Sequence, residues 1–362
     1  MLTVASLGLL ACGSDSGTET AEPAASSSAG GAESDVRVGL AYDVGGRGDR
    51  SFNDAAAAGL DQAKTELGVE GQELSPNAQG TDRGDNLRSL AEEGYNPIFA
   101  VGFAYAEELG TIATDFPETT FFIIDDSSVE APNVKGLVFA EEQGSFLVGA
   151  AAALKSTTNS VGFIGGVQTP LLEKFEAGFV AGAKQVKPDI ELQTAYLSQP
   201  PDFSGFGDPA AGQEAANGMF DAGADVIYAA AGGSGLGVFQ SALANDALGI
   251  GVDSDQYESI GASNPELQPV ILTSMLKRVD VAVFDALQAF VRRRGDPCRH
   301  DLRPRGRRRR LLHLRWPGRR HRRAARGAEG ADRQRRDHGP QHAVADRSPR
   351  GRRTLPVRRP LR

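Results

Sequence analysis

Residues 36–67 read VRVGLAYDVGGRGDRSFNDAAAAGLDQAKTEL, and the fold turns on how that stretch is parsed. Residues 36–44 form a short, mostly apolar run that ends at a glycine turn, the pattern of a strand. The run stops at GGRGDRSFN, where four glycine and acid positions cannot continue a pleat. Alanines and Leu60 then recur at helical spacing, with Ser51 placed as the N-cap of the helix. Strand, polar turn and amphipathic helix together make the first half of a βαβ unit, with Asp43 at the strand's end.

The alternation recurs along the chain. PIFAVG, TFFIID and VKGLVFA read as strands, with GDNLRSLAEEG and AYAEELGTIATDF as helices among them. After the helix GSFLVGAAAALKS the pattern restarts at SVGFIGG. It continues through LLEKFEAGFVAGAKQV, IELQTAYL, AAGQEAANGMFDAG, ADVIYAAA, GLGVFQSALANDA, LGIGVD, PVILTSM and LKRVDVAVFDALQAFV. Strands alternating with helices of this length imply parallel sheets. Two runs of similar size predict two lobes, one over residues 36–156 plus 275–291 and one over 157–274, with a cleft between them.

Ligands of open α/β sheets bind beyond the C-terminal ends of the strands. The residues expected there are Asp43 and the turn behind it, Asp125, Gly165 and Gly166, the GGSGLG turn from Gly232 to Gly237, Asp253 and Lys277. The set offers acids, an amide, a lysine and glycine turns, but no nucleophile with a base beside it. It reads as a recognition site.

Composition narrows the chemistry. Residues 1–291 hold 13 Lys and Arg against 41 Asp and Glu, whereas 292–362 hold 26 Arg, no Lys and 6 acids. All five histidines lie at or after His300, so the acidic body has no Ser-His-Asp triad and no histidine-ligated metal. Its single cysteine, Cys12, excludes an internal disulfide there. We expect no enzyme, no cofactor and no metal site.

The N-terminus, MLTVASLGLLACGSDSG, is an apolar run too short to span a bilayer. Leu9-Leu10-Ala11-Cys12 resembles a bacterial lipobox, which implies a signal peptide over 1–11 and a lipid anchor on Cys12. No basic residue precedes the run, so the true start is expected upstream. Residues 12–35, rich in Ser, Gly, Ala and Thr, read as a flexible tether. The expected location is the extracytoplasmic face of the cell membrane.

Seven ordered segments carry a family resemblance: DVGGRGDRSFNDAAAAGL, FFIIDD, EEQGSFLVGAAAA, VGFIGG, DVIYAAAGGSGLGV, IGVDSDQ and ILTSMLKRVD. Together they resemble the basic membrane protein family, substrate-binding lipoproteins of ABC transporters best known as purine nucleoside receptors. The resemblance implies a type I periplasmic-binding-protein fold, α/β, with two Rossmann-like lobes of parallel sheet joined by three crossovers. It implies a nucleoside ligand, purine above all, an ABC permease as partner, no nucleic acid, and a monomer. By resemblance, Phe52 stacks on the base, Asn53 reads its edge and Asp125 accepts its hydrogen bonds. Phe206 supplies the second aromatic wall, with Phe203 the alternative in the same loop. Gly232 and Gly235 bring backbone close to the ligand, Asp253 and Lys277 hold the ribose hydroxyls, and Asp43 lines the pocket. Open alternatives are a pentose-binding protein of the same fold, and a carboxylate-based nucleoside hydrolase or a sensor domain.

The arginine-rich tail over 292–362 has two readings. A basic arm for nucleic acid would give salt-dependent phosphate contacts. A run of Arg without Lys instead matches translation out of frame. If the arginines are CGN codons, reading from the second base turns RRRRLLHLRWPGRR (307–320) into DGVDYSTSGGQVDD for a suitable choice of third bases. We read the tail as frameshifted, and expect it to be disordered because it lacks apolar periodicity.

Overall fold

The computed structural model describes residues 34–294. The expected leader, tether and Cys12 anchor, and the tail from 295 onward, lie outside the described residues.

The first sheet contains β1 (Arg37–Ala41), β2 (Glu70–Leu74), β3 (Ile98–Ala100), β4 (Phe121–Ile124) and β5 (Val134–Leu137), in the spatial order β2-β1-β3-β4-β5. The second contains β6 (Ser160–Val167), β7 (Glu191–Ser198), β8 (Val226–Ala230), β9 (Leu248–Asp253) and β10 (Ile271–Leu276), in the order β10-β9-β8-β6-β7. Every pairing is parallel. The two sheets therefore repeat one topology, in which the chain reverses direction between the first and third strands of each.

Around the first sheet lie α1 (Phe52–Leu67), α2 (Arg83–Glu92) and α3 (Ala106–Asp115). The second carries α4 (Glu141–Lys155), α5 (Pro170–Val186), α6 (Pro209–Asp221), α7 (Gly235–Ala244) and α8 (Gln256–Gly261). The last described helix, α9 (Val279–Arg294), returns to the first lobe, where Val279, Ala282, Val283 and Leu287 join the core beneath α1. Strand side chains alternate between two apolar layers. In β3, Phe99 packs on the α1–α9 face, while Ile98 and Ala100 pack on the α2–α3 face. Burial on both faces is why these strands read as continuous apolar runs.

The division into lobes differs from the sequence expectation. Helix α4 was placed with the first lobe, but Val148, Ala152 and Ala153 are buried in the core of the second sheet, and Met275 of β10 is buried there too. The chain crosses between lobes at residues 138–140 and again at 277–278, two crossings among the described residues. An apolar helical stripe looks the same whichever sheet it covers, so periodicity could not assign α4. Helix α9 also runs three residues past the expected break at 291, through Arg292–Arg294. Arginine is a good helix former, and its charge suits a helix C-terminus.

Candidate functional site

The strand ends of the two lobes face a shared cavity of about 550 Å³, counting the part that opens to solvent. Eight of the nine expected pocket residues line it: Asp43, Phe52, Asn53, Asp125, Phe206, Gly232, Asp253 and Lys277. Gly235 does not. It opens α7, and the nearest atom to a Cβ there would be that of Ala229, at 3.6 Å. Gly237 is also engaged elsewhere, because a Cβ on it would lie 1.8 Å from the Pro209 carbonyl of α6. Close helix packing, not ligand approach, explains Gly237. The alternative ring, Phe203, makes an edge contact with Phe103 at 6.0 Å and leaves the cavity to Phe206.

Asp43, just beyond β1, is buried and ion-paired to Arg83, the first residue of α2. Arg83 donates Nε to Asp43 Oδ1 at 2.9 Å and Nη1 to the Gly80 carbonyl at 2.9 Å, and its guanidinium lies over the Phe203 ring of the other lobe at 5.1 Å. Burial raises the Asp43 carboxyl and Arg83 opposes that rise. Gly102 closes this corner in a backbone region that disfavours other residues (φ 120°), and a Cβ there would meet Asp43 Oδ2 at 2.7 Å. The sequence reading missed Arg83. Its signal was an arginine just after a turn, in a body with only six arginines before residue 292.

Asn53 is also buried, but its amide is engaged with backbone. Oδ1 accepts from the Asp43 N–H at 3.0 Å, and Nδ2 donates to the Asp43 and Val44 carbonyls at 3.4 Å. Ser51 does not cap α1 through its hydroxyl. Asp49 takes that role, accepting from the N–H groups of Ser51 and Asn53 at 2.9 Å and of Asp54 at 3.1 Å. The freed Ser51 hydroxyl donates across the cleft to Asp253 Oδ2 at 2.7 Å. Further bonds cross beside it, among them those from Ser254 Oγ to the Ser51 carbonyl at 2.8 Å and from Gln256 Nε2 to the Arg50 carbonyl at 3.2 Å.

Lys277 sits where the chain re-enters the first lobe. Its ammonium is paired with Asp125, with both side chains buried, rather than with Asp253. The rings of Phe52, Phe139 and Phe175 surround it at 4.7, 5.2 and 5.6 Å. Burial works against the lysine's charge, but Asp125, Asp253 and Glu141 outweigh it and push its pKa up. Burial raises all three of those carboxyls in turn, since three acids share one cation. Asp125 and Asp253 both adopt left-handed backbone, at φ 70° and 64°. Strain of this kind concentrates at ligand sites.

The site thus combines aromatic rings from both lobes, Phe52 and Phe103 from the first and Phe175 and Phe206 from the second, with buried acceptors and one caged cation. Among the described residues, no group of His, Cys, Asp or Glu is arranged to hold a metal, and no helix is long and apolar enough to cross a membrane.

Comparison with known proteins bears on the family and the fold. The family model for Bmp, the PnrA-like ABC transporter substrate-binding proteins, matches residues 36–294. A CD4+ T-cell-stimulating antigen of Listeria innocua is 34% identical over 298 residues, covering 79% of this chain and 80% of the relative. The ABC transporter nucleoside-binding protein BmpA of Lactococcus lactis is 34% identical over 277 residues, covering 72% and 76%. An ABC transporter solute-binding protein from Aeropyrum pernix superposes with a TM-score of 0.64 at 32% identity, over 72% of this chain and 71% of the other. The family model, the Lactococcus relative and the Aeropyrum structure are all described as binding proteins of ABC transporters, not as enzymes. The chain belongs to the Bmp family of PnrA-like substrate-binding proteins of ABC transporters.

Proposed function

We propose that this protein captures a purine nucleoside in the cleft and delivers it to a membrane permease, tethered through a lipid on Cys12. The observation that carries this reading is the pair of rings, Phe52 and Phe206, contributed to one cavity by opposite lobes. A base between them gains stacking on both faces when the lobes close. Asp125 offers the base an acceptor, because its Oδ1 is buried and has no protein partner. Asp253 and Lys277 stand at the sugar, where an acceptor and a donor orient a diol. The naming of the Lactococcus relative as nucleoside-binding supports the same class.

Calorimetric titration with inosine, guanosine, adenosine and free ribose tests the reading. Nucleosides are expected to bind and ribose alone to bind weakly or not at all. Substituting Phe52→Ala is expected to weaken binding, since stacking on one ring contributes about 1–3 kcal/mol. Tight ribose binding without nucleoside binding would instead make the site a pentose site.

A further inference from the structure

Among the described residues, four buried side-chain polar atoms lack a hydrogen-bond partner, and two of them belong to the acids around Lys277. One is Asp125 Oδ1, on the carboxylate that already pairs with Lys277. The other is Oε2 of Glu141, a residue only 3% exposed that no role described above uses. A buried carboxylate oxygen without a donor is costly, and such an atom calls for a reason.

The position of Glu141 suggests one. It opens α4, directly after the crossing at 138–140, while Lys277 begins the crossing at 277–278. The two crossings touch: Phe139, two residues before Glu141, has its ring 5.2 Å from Lys277 Nζ. Besides Lys277 and Asp125, the charged group acting on Glu141 is Lys174 of α5, and Glu141 in turn acts on Tyr228 of β8. Among the described residues Glu141 makes no ion pair, whereas the Lys277 ammonium is ion-paired to Asp125 alone.

We propose that Glu141 is the alternate counter-ion of Lys277, which pairs with Asp125 as seen here and turns to Glu141 when a ligand donor engages Asp125. A ligand donor on the free Oδ1 draws on the Asp125 charge that holds Lys277, and a weakened buried pair would oppose ligand entry. A second carboxylate within the same hinge removes that penalty while leaving Asp125 free to accept from the ligand. Glu141 is therefore a positioning residue that acts through Lys277 and not on the ligand. The ligand step rests on the nucleoside reading, but the exchange of partners does not.

A double-mutant cycle on thermal unfolding, run without ligand on the purified protein, tests the exchange. E141Q alone is expected to leave Tm at or above the wild-type value, because it removes an unpaired buried carboxylate. D125N is expected to lower Tm, and the double variant D125N/E141Q to lower it by clearly more than the sum, because only Asp253, already engaged by Ser51, then faces Lys277. Additive shifts, or a loss in E141Q as large as in D125N, would overturn the proposal. If the double variant fails to fold, adding K277M must restore folding; failure to do so overturns it equally. In nucleoside titrations E141Q is expected to bind at least fivefold more weakly, with E141D recovering part of the loss. If the wild-type protein binds no nucleoside, the proposed ligand is wrong while the stability cycle still decides the exchange.

Discussion

Asp125 and Asp253 show how a single residue can serve both chain path and ligand. Each ends a central strand in left-handed backbone, and each presents a carboxylate to the cavity. Aspartate tolerates that conformation better than most residues with a Cβ. Their place beyond a strand end was legible in the sequence; their partners were not. By resemblance Asp253 and Lys277 share the ribose; in the structure Lys277 pairs with Asp125, while Asp253 takes its hydrogen bond from Ser51. Pairing across 152 and 202 residues depends on how the lobes meet, which local pattern does not encode. Phe206 is the residue where sequence left two choices, and only the loop's path brought it, rather than Phe203, to the cavity. Truncating it (Phe206→Ala) is expected to weaken nucleoside binding about five- to 150-fold, the equivalent of about 1–3 kcal/mol. The same change at Phe203 is expected to cost less, and parallel calorimetric titrations of the two variants check the difference.

Most elements were legible because buried strands and amphipathic helices carry distinct apolar periods. Strand β2, EGQEL, is the exception. It is an edge strand without an apolar run, recruited by pairing with β1 and by the charges around Glu73. Tyr42 Oη donates to Glu73 at 2.6 Å, Arg47 at 2.7 Å and Lys64 at 2.9 Å. Burial pushes the Glu73 carboxyl up, but these donors outweigh it and hold it at about 2, below the ordinary 4.5. A carboxyl depressed on folding stabilises the protein above its unfolded pKa, and that contribution is lost as pH falls through the folded value. Thermal unfolding across pH 4.5 to 2 is therefore expected to show a shallower acid loss of Tm in Glu73→Gln than in the wild type. An equally steep loss in the variant would remove Glu73 from the account.

At the scale of the molecule, two copies of one sheet topology meet through a few polar bonds on the cleft rim. Ser51, Ser254 and Gln256 tie one rim of the cleft, while Arg83 over Phe203 bridges the lobes elsewhere. Hinge closure of this kind is set by a small difference in free energy, so one bond shifts the population. Ser51→Ala is expected to weaken apparent ligand affinity about tenfold, the scale of one charge-assisted hydrogen bond. Small-angle scattering is expected to show a larger ligand-free radius of gyration for this variant, with the difference vanishing at saturation. The sequence alone determined the alternation of strands and helices, the repeat of that pattern and the strand ends where polar residues gather, because these follow from local period and turn chemistry. It also excluded histidine chemistry from the body of the chain, because composition requires no coordinates. The tertiary structure alone decided which lobe owns α4, which acid holds Lys277, and that Arg83 and Ser51 bond the cavity acids Asp43 and Asp253. Those choices depend on burial and on contacts between segments far apart in the chain.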